Sequence, residues 1–121
     1  MPDGAIAEKK WTLRDRIHVI RKQLRDDDLS PALVRESLVT LTALQGNVAD
    51  ERRQRDQEYR LVYLNCLNAE NKANRARIVA ETTPAYWRLV EARDVEEECK
   101  QMIVTCRAYL RSLDEEMRLA R

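Results

Sequence analysis

The fold is decided by residues 30–48, which read SPALVRESLVTLTALQGNV. Ser30 is a residue type that caps the first turn of a helix. Pro31 suits the first helical position, because its missing N–H would be unpaired there in any case. Apolar side chains then recur at intervals of three and four residues, which places them on one side of a helix. This stretch therefore predicts the start of an amphipathic helix.

The same spacing continues beyond this stretch and predicts a long helix over about residues 30–68. The stripe consists of Val34, Leu38, Leu41, Val48, Tyr59, Val62 and Cys66, and its polar interruptions are Gln45, Arg52 and Arg55. A register held over so many turns is typical of a coiled coil, in which polar seam positions set the register or the choice of partner. Gly46 weakens the helix by roughly 1 kcal/mol and need not end it.

A second stripe predicts a partner helix over about residues 72–120. It consists of Ala92, Val95, Cys99, Met102, Cys106, Tyr109, Leu113 and Ala120, and it is widened by Ile103, Leu110 and Met117. The asparagine-rich residues 68–72 favour a hairpin turn. The competing turn lies at 82–84, because a Thr-Pro pair starts helices well. We favour the first turn with a kink or a break near Pro84, and so expect an antiparallel coiled-coil helical hairpin.

A short basic helix over residues 12–26 is expected to precede the hairpin. Thr12 followed three residues later by Asp15 approximates a capping box. The apolar residues of this helix form one narrow stripe: Leu13, Ile17, Ile20 and Leu24. Residues 1–11 contain a proline and a glycine and are expected to form a flexible arm. The whole chain, residues 1–121, is thus predicted to be one all-α domain.

The composition of the chain agrees with an all-α domain. Its 121 residues include two glycines, three prolines and no phenylalanine, and 36% of them are charged. A β-sandwich or an α/β fold of this length normally needs more glycine, aromatic and β-branched residues. A thin rod of two or three helices buries little surface per residue, and such chains often complete their core by association. We therefore expect a homo-oligomer.

Residues able to carry catalysis or hold a metal are scarce. The single histidine, His18, follows the stripe residue Ile17 and is interpreted as structural. Cys66, Cys99 and Cys106 show no CxxC spacing, so zinc is not expected, and buried thiols in a reducing cytoplasm are the simplest interpretation. Two isolated glycines cannot form a phosphate loop. The sequence predicts a non-enzymatic protein without a cofactor.

Segments that would direct the chain to a membrane are not evident either. The first residues lack the apolar core of a signal peptide. No apolar stretch approaches the length that spans a bilayer. We expect a cytoplasmic protein with no membrane partner.

Charge is distributed unevenly, which suggests either self-association or a polyanionic partner at the basic parts. The net charge is +4 over residues 1–25, −4 over 26–50 and +3 over 71–90. Basic side chains hold phosphates, and a nearby aromatic ring can stack on an unpaired base. The predicted nucleic-acid-binding residues are Lys9, Lys10, Trp11, Arg14, Arg16, Lys72, Arg75 and Arg77. In the alternative interpretation the charges are solvated helix faces, Trp11 staples a helix end and Trp87 fills the core.

The second half of the chain resembles a diverse set of short helical-hairpin proteins of tailed phages, often encoded near replication and recombination genes. The likeness covers about residues 55–121. It is carried by residues 56–63, DQEYRLVY, by Ala73-Asn74-Arg75-Ala76, by Trp87, by Glu91-Ala92-Arg93, and by Leu110, Arg111 and Leu113. The chain departs from that pattern at Asn68–Asn71, where the family has a glycine-containing turn. The resemblance implies a non-enzymatic accessory protein.

Three functions follow as hypotheses. The first is a phage accessory protein for recombination or replication, which binds single-stranded DNA, a recombination or replication protein, or both. The second is a small inhibitor of a host defence or host enzyme, whose acidic residues 26–28 and 96–98 mimic nucleic acid on a basic host protein. The third is a structural coiled-coil scaffold.

Overall fold

The computed structural model describes residues 12–70 and 72–120, and the residues described form helices and no strand. The helices are α1 (Leu13–Asp26), α2 (Pro31–Glu70), α3 (Ala73–Ala80) and α4 (Pro84–Leu119). The predicted all-α class is confirmed. The arm predicted for residues 1–11 lies outside the described residues.

Local hydrogen bonds start the first two helices where the sequence predicts. The Thr12 hydroxyl accepts a hydrogen bond from the Asp15 amide at 3.1 Å, and the Asp15 carboxylate accepts one from the Thr12 amide at 3.2 Å. The predicted capping box is therefore confirmed. At the start of α2, the Ser30 hydroxyl accepts a hydrogen bond from the amide of Leu33 at 3.1 Å, which satisfies one of the unpaired donors of the first turn.

The second half of the chain is divided into two helices. α2 runs through Gly46 without interruption to Glu70. The sequence favoured a helix from about residue 72 with a kink or a break near Pro84, and the structure has the break: α3 ends at Ala80 and α4 begins at Pro84. Thr83 adopts an extended conformation (φ −86°, ψ 155°), because a residue that precedes proline is disfavoured in the helical region.

The threonines between α3 and α4 close α3 rather than open α4. The hydroxyls of Thr82 and Thr83 donate hydrogen bonds of 2.6 Å to the carbonyls of Val79 and Ala80 respectively. The Thr83 side chain therefore makes no capping hydrogen bond to α4. α4 does begin at the Thr-Pro pair, with Thr83 as its N-cap residue, but the Thr83 hydroxyl is used by the preceding turn.

Paired side chains fix how α2 and α4 lie against each other. Cys99 Sγ lies 3.6 Å from the carbonyl oxygen of Leu41. Arg52 Nε lies 3.3 Å from Glu96 Oε1. Nearer the turn, Arg88 Nε lies 3.5 Å from Glu58 Oε2. Position along α4 thus falls as position along α2 rises.

α1 packs across both long helices at the end remote from α3. Arg14 lies 2.8 Å from Glu91, and Arg21 lies 3.0 Å from Glu98. Position along α4 rises with position along α1, so these two helices run in the same direction. At this end the chain forms a three-helix arrangement, whereas α3 and the start of α4 have α2 as their main neighbour.

The core lies where α1, α2 and α4 meet. Its buried members are Ile17, Ile20, Val34, Leu41, Leu44, Val48, Val95, Cys99, Ile103 and Cys106. The half-buried predicted seam residues are Leu38, Tyr59, Val62, Cys66, Met102, Tyr109 and Leu113. Leu44 is buried and Gln45 is exposed, so the expected polar interruption at Gln45 is wrong: the helix turns Leu44 inward instead. The other end is thinner, and its buried side chains include Ala76, Ala80, Ala85 and Leu89.

Candidate nucleic-acid interface

The predicted binding residues differ in how far their charges are available. Lys9, Lys10 and Trp11 lie outside the described residues. Arg14 is ion-paired to Glu91, and Arg75 to Glu70 at 3.0 Å. Arg16, Lys72 and Arg77 are exposed and make no ion pair with any carboxylate in residues 12–70 or 72–120. Among the members of the predicted set that the structure describes, these three carry the uncompensated charge.

The structure does not bring the two predicted basic regions together. Arg16 on α1 lines a shallow apolar groove beside Leu44. Arg75 pairs with Glu70, at the far end of α2. Leu44 and Glu70 are separated by a helical rise of about 39 Å along α2. One compact site therefore cannot include both Arg16 and Arg75, and these two positions have to be judged separately.

An exposed aromatic cluster adjoins the second basic region. The Trp87 side chain is 62% exposed. Its ring meets Tyr86 edge-on at 5.7 Å between centroids, and Tyr86 meets Tyr59 at 5.5 Å. Desolvation by burial, followed by the charge of Glu81, raises the pKa of Tyr59. The interpretation that Trp87 fills the core is wrong.

The spacing of neighbouring residues explains why Trp87 points outward. Ala85, Leu89 and Ala92 are buried at intervals of four and three. Trp87 lies two positions from the first of these, and a shift of two residues on a helix turns a side chain by about 200°. The stripe predicted from the sequence began only at Ala92. Ala85 and Leu89 continue its spacing toward the start of the helix, and this spacing indicates that Trp87 lies outside the stripe.

Both signs of charge surround Trp87. The ring lies along a shallow groove with Arg14, Glu91 and Asp94. On its other side the chain leads back through the turn at 81–83 to Arg77 on α3. On that side Arg77 makes no ion pair with a described carboxylate, and the carboxylate of Glu81 lies in the turn between Arg77 and Trp87. Both signs of charge therefore lie on each side of the ring.

A cleft of about 220 Å³, lined by both charged and apolar side chains, lies where the start of α1 meets α2 and α4. Its lining includes Arg14, Arg55 and Arg88. Arg55 lies 2.9 Å from Glu58 and 3.8 Å from Glu51. Arg14 and Arg88 also have carboxylate partners. Since each guanidinium is already compensated, this cleft offers an anion little attraction.

The charge of Arg52, which interrupts the apolar seam, is paired with a carboxylate of the same chain. Arg52 and Lys100 both approach Glu96, at 3.3 and 3.8 Å, and the Glu96 side chain is only 16% exposed. Arg93 approaches Asp56 at 3.8 Å in the neighbouring turn. These ion pairs join α4 to α2. The structure therefore gives these charges an internal role in aligning the two helices.

The acidic runs are only partly free to act as a nucleic-acid mimic. Glu96 and Glu98 are half-buried and ion-paired. Asp26 lies 2.9 Å from Arg25, and the hydrogen bond from this guanidinium lowers the pKa of Asp26. Asp27 and Asp28 are exposed, with no ion pair to the described basic residues. The acidic surface on offer is thus smaller than the sequence suggests.

Groups with catalytic or metal-binding potential are dispersed. Nδ1 of His18 lies 3.1 Å from Arg21, which also pairs with Glu98. Within residues 12–70 and 72–120, no three His, Cys, Asp or Glu side chains are close enough to hold a metal ion. All three cysteines are free thiols. Burial raises the pKa of Cys99 and Cys106, which keeps both thiols protonated and unreactive.

None of the helices in the described part of the chain combines the length and apolar character needed to cross a bilayer. Comparison with protein-family models, with curated proteins and with solved structures found no match. The function therefore has to be inferred from the chemistry of the described residues.

Proposed function

We propose that this chain is a non-enzymatic protein that binds single-stranded nucleic acid at the junction of α3 and α4. The observation that supports this most directly is the exposed ring of Trp87 in the first turn of α4. The helix before it in the chain, α3, is flanked by Lys72 and carries Arg77, and both are exposed and make no ion pair with a described carboxylate. A large aromatic side chain normally gains from burial. An exposed tryptophan near uncompensated cations is an arrangement that single-strand binders use.

The expected energetics divide between stacking and phosphate contacts. Stacking of one base on an aromatic ring contributes about 1–3 kcal/mol and tolerates any base. Each phosphate neutralised on a single strand adds about 0.7 to the slope of affinity against salt on logarithmic axes. Lys72 and Arg77 would thus give a slope of about −1.4. Binding at this junction should be weak, salt-dependent and without sequence preference.

The test uses Trp87 as its own reporter. In the variant Trp11→Phe, Trp87 is the single tryptophan of the chain, and titration with oligo-dT at low salt should quench its fluorescence. Trp87→Ala should weaken binding of a labelled oligonucleotide about 5- to 100-fold, which corresponds to one stacking contact. Because Trp87 is exposed, the substitution should leave the fold intact, which circular dichroism checks.

A matched pair of charge variants separates a local site from general attraction. Lys72→Gln with Arg77→Gln should reduce both affinity and the salt slope. Arg107→Gln with Arg111→Gln removes the same charge from exposed positions on the other half of α4 and should have a much smaller effect. Equal effects would point to non-specific attraction, and no binding at low salt would refute the proposal.

The wider role stays a proposal that rests on the resemblance to phage hairpin proteins. It connects binding of single strands, or of a recombination protein, with recombination or replication. The inhibitor hypothesis has less support, because Glu96 and Glu98 are already ion-paired. The scaffold hypothesis needs a surface through which copies of the chain associate, and the exposed outer face of α2 is the candidate for that surface.

For the architecture we propose the finer description of an antiparallel coiled-coil hairpin. The pairings of Leu41 with Cys99 and of Arg52 with Glu96 support it. Burial at positions 34, 41, 44 and 48 and at 92, 95, 99, 103 and 106 supports it as well, because these intervals are three, four or seven residues. A disulfide engineered between facing positions of α2 and α4 tests the alignment. Its failure to form within a monomer would contradict it.

A further inference from the structure

The outer face of α2 carries a second stripe that nothing described in the chain covers. The stripe consists of Val39, Ala43, Gly46, Asp50, Arg53, Gln57, Leu61 and Leu64, and all eight are exposed. At 100° per residue they occupy an arc of about 80°, on the side of the helix opposite Leu41. We call these eight residues the outer stripe. It follows the length of the helix as regularly as the buried face does.

Apolar side chains occupy both ends of the outer stripe. Val39 is 70% exposed, Leu61 65% and Leu64 51%. The two ends lie in stretches without any charged residue, 37–49 and 61–69, in a chain of which 36% is charged. A helix face that only meets solvent normally carries charge along its length. Apolar residues at seam-like spacing on a weakly charged face instead indicate a helical partner.

The outer stripe is complementary to itself when a second copy lies antiparallel. With the two-fold axis between positions 51 and 52, Asp50 faces Arg53 of the partner subunit, and Arg53 faces the partner's Asp50. The same alignment places Val39 opposite the partner's Leu64. An isologous interface requires this reciprocity, in which each contact occurs twice.

Side-chain size fits the same alignment. Leu61 falls within one residue of the position opposite the partner's Ala43, so a large side chain lies near a small one at each end. Gly46 falls opposite the partner's Gln57, and a Cβ built at Gly46 has nothing within 4 Å. The neighbouring alignments that keep the stripes in contact move the axis to position 50 or to position 53. They bring together two Asp50 or two Arg53 side chains, and the repulsion between like charges disfavours both.

We propose that the outer stripe of α2 is the interface of an antiparallel homodimer. Within one chain, Arg53 already pairs with Asp50 at 2.7 Å, with both side chains more than 60% exposed. Such an exposed pair contributes about 1 kcal/mol or less, so both groups can exchange partners at little cost. The proposal does not depend on nucleic-acid binding, because its surface lies on the opposite side of α2 from α4.

The test is sedimentation equilibrium over a wide concentration range without nucleic acid. The unmodified chain should show a monomer–dimer equilibrium. Asp50→Arg alone and Arg53→Asp alone each create like-charge contacts twice per dimer, and each should weaken the dimer by at least about tenfold. An equimolar mixture of these two variants should restore dimers, since the two positive charges of one copy then face the two negative charges of the other. The double variant D50R/R53D should restore them as well.

A control reverses a charge away from the outer stripe. Glu97→Arg on α4 changes an exposed residue and should leave the dimer unchanged. A chain that is monomeric at every concentration overturns the proposal and leaves this face to a different protein. A dimer that tolerates both single reversals, or whose two variants do not combine on mixing, also overturns it, because another surface would then hold the copies together.

Discussion

Truncation of Leu41 to alanine tests the position of the core directly. The Leu41 side chain is completely buried, at 0% exposure, where α2 packs against α1 and α4. Leu→Ala removes three carbon groups, each worth about 0.8 kcal/mol on transfer from water. The loss is therefore about 2.4 kcal/mol before any cavity forms. A cavity that does not collapse raises the total toward about 5 kcal/mol.

Leu61→Ala is the matched control for this truncation. It removes the same atoms from the same helix, but at a position that is 65% exposed. Leucine and alanine have similar helix propensities. We therefore expect Leu61→Ala to change the free energy of unfolding by about 0.5 kcal/mol or less. The difference between the two variants isolates burial from the chemistry of the substitution.

Urea unfolding followed by far-ultraviolet circular dichroism measures both variants. The protein concentration should be low enough to keep the chain monomeric, so that association does not contribute. If the slope is about 1–3 kcal/mol per molar urea, Leu41→Ala should lower the midpoint by roughly 1–5 M. Equal losses for the two variants, or a larger loss for Leu61→Ala, would show that α2 is rotated about its axis and would refute the placement of the core.

Three further outcomes are expected. Gly46→Ala should stabilise the chain by about 0.5–1 kcal/mol in the same assay, because the added Cβ meets no neighbour, and the reverse change at exposed Ala43 should cost a similar amount. A thiol reagent should label half-buried Cys66 first, and the buried Cys99 and Cys106 only as the chain opens. The variant Cys66→Ser should lose the fast phase of labelling. Equal labelling rates for the three cysteines would contradict the burial of Cys99 and Cys106. The folded-state pKa of these two buried thiols is raised from 9.0. Their contribution to stability should therefore be present below about pH 9 and be lost as the pH rises above that value. A free energy of unfolding that does not change with pH in this alkaline range would contradict the prediction.

Features set by neighbours in sequence could be predicted well. The capping box of Thr12 with Asp15 and the cap of Ser30 depend on side chains within three residues. The stripe from Leu13 to Leu24 faces the core because its spacing matches the helical period. These signals are local, so no knowledge of the tertiary arrangement was needed.

Features set by the alignment of distant helices could not be predicted. Arg14 pairs with Glu91 across 77 positions of sequence, which depends on how far α1 extends along α4. That pairing neutralises a residue predicted to bind nucleic acid. The strict seven-residue repeat also selected Gln45, where the structure buries Leu44. A straight helix drifts by about 20° per heptad against that repeat, so neighbouring positions exchange places after a few turns.

The polar section of α2 was predicted to set either the register or the choice of partner. A partly buried arginine in a seam is costly unless a carboxylate compensates it. For Arg52 and Arg55, Glu96 and Glu58 supply the carboxylates from within the same chain, and the pair with Glu96 fits a role in the register. A seam that satisfies its own charges has nothing to offer a partner. Any association must then use a face that the chain leaves uncovered, which is why the apolar ends of the outer stripe are more informative than the seam.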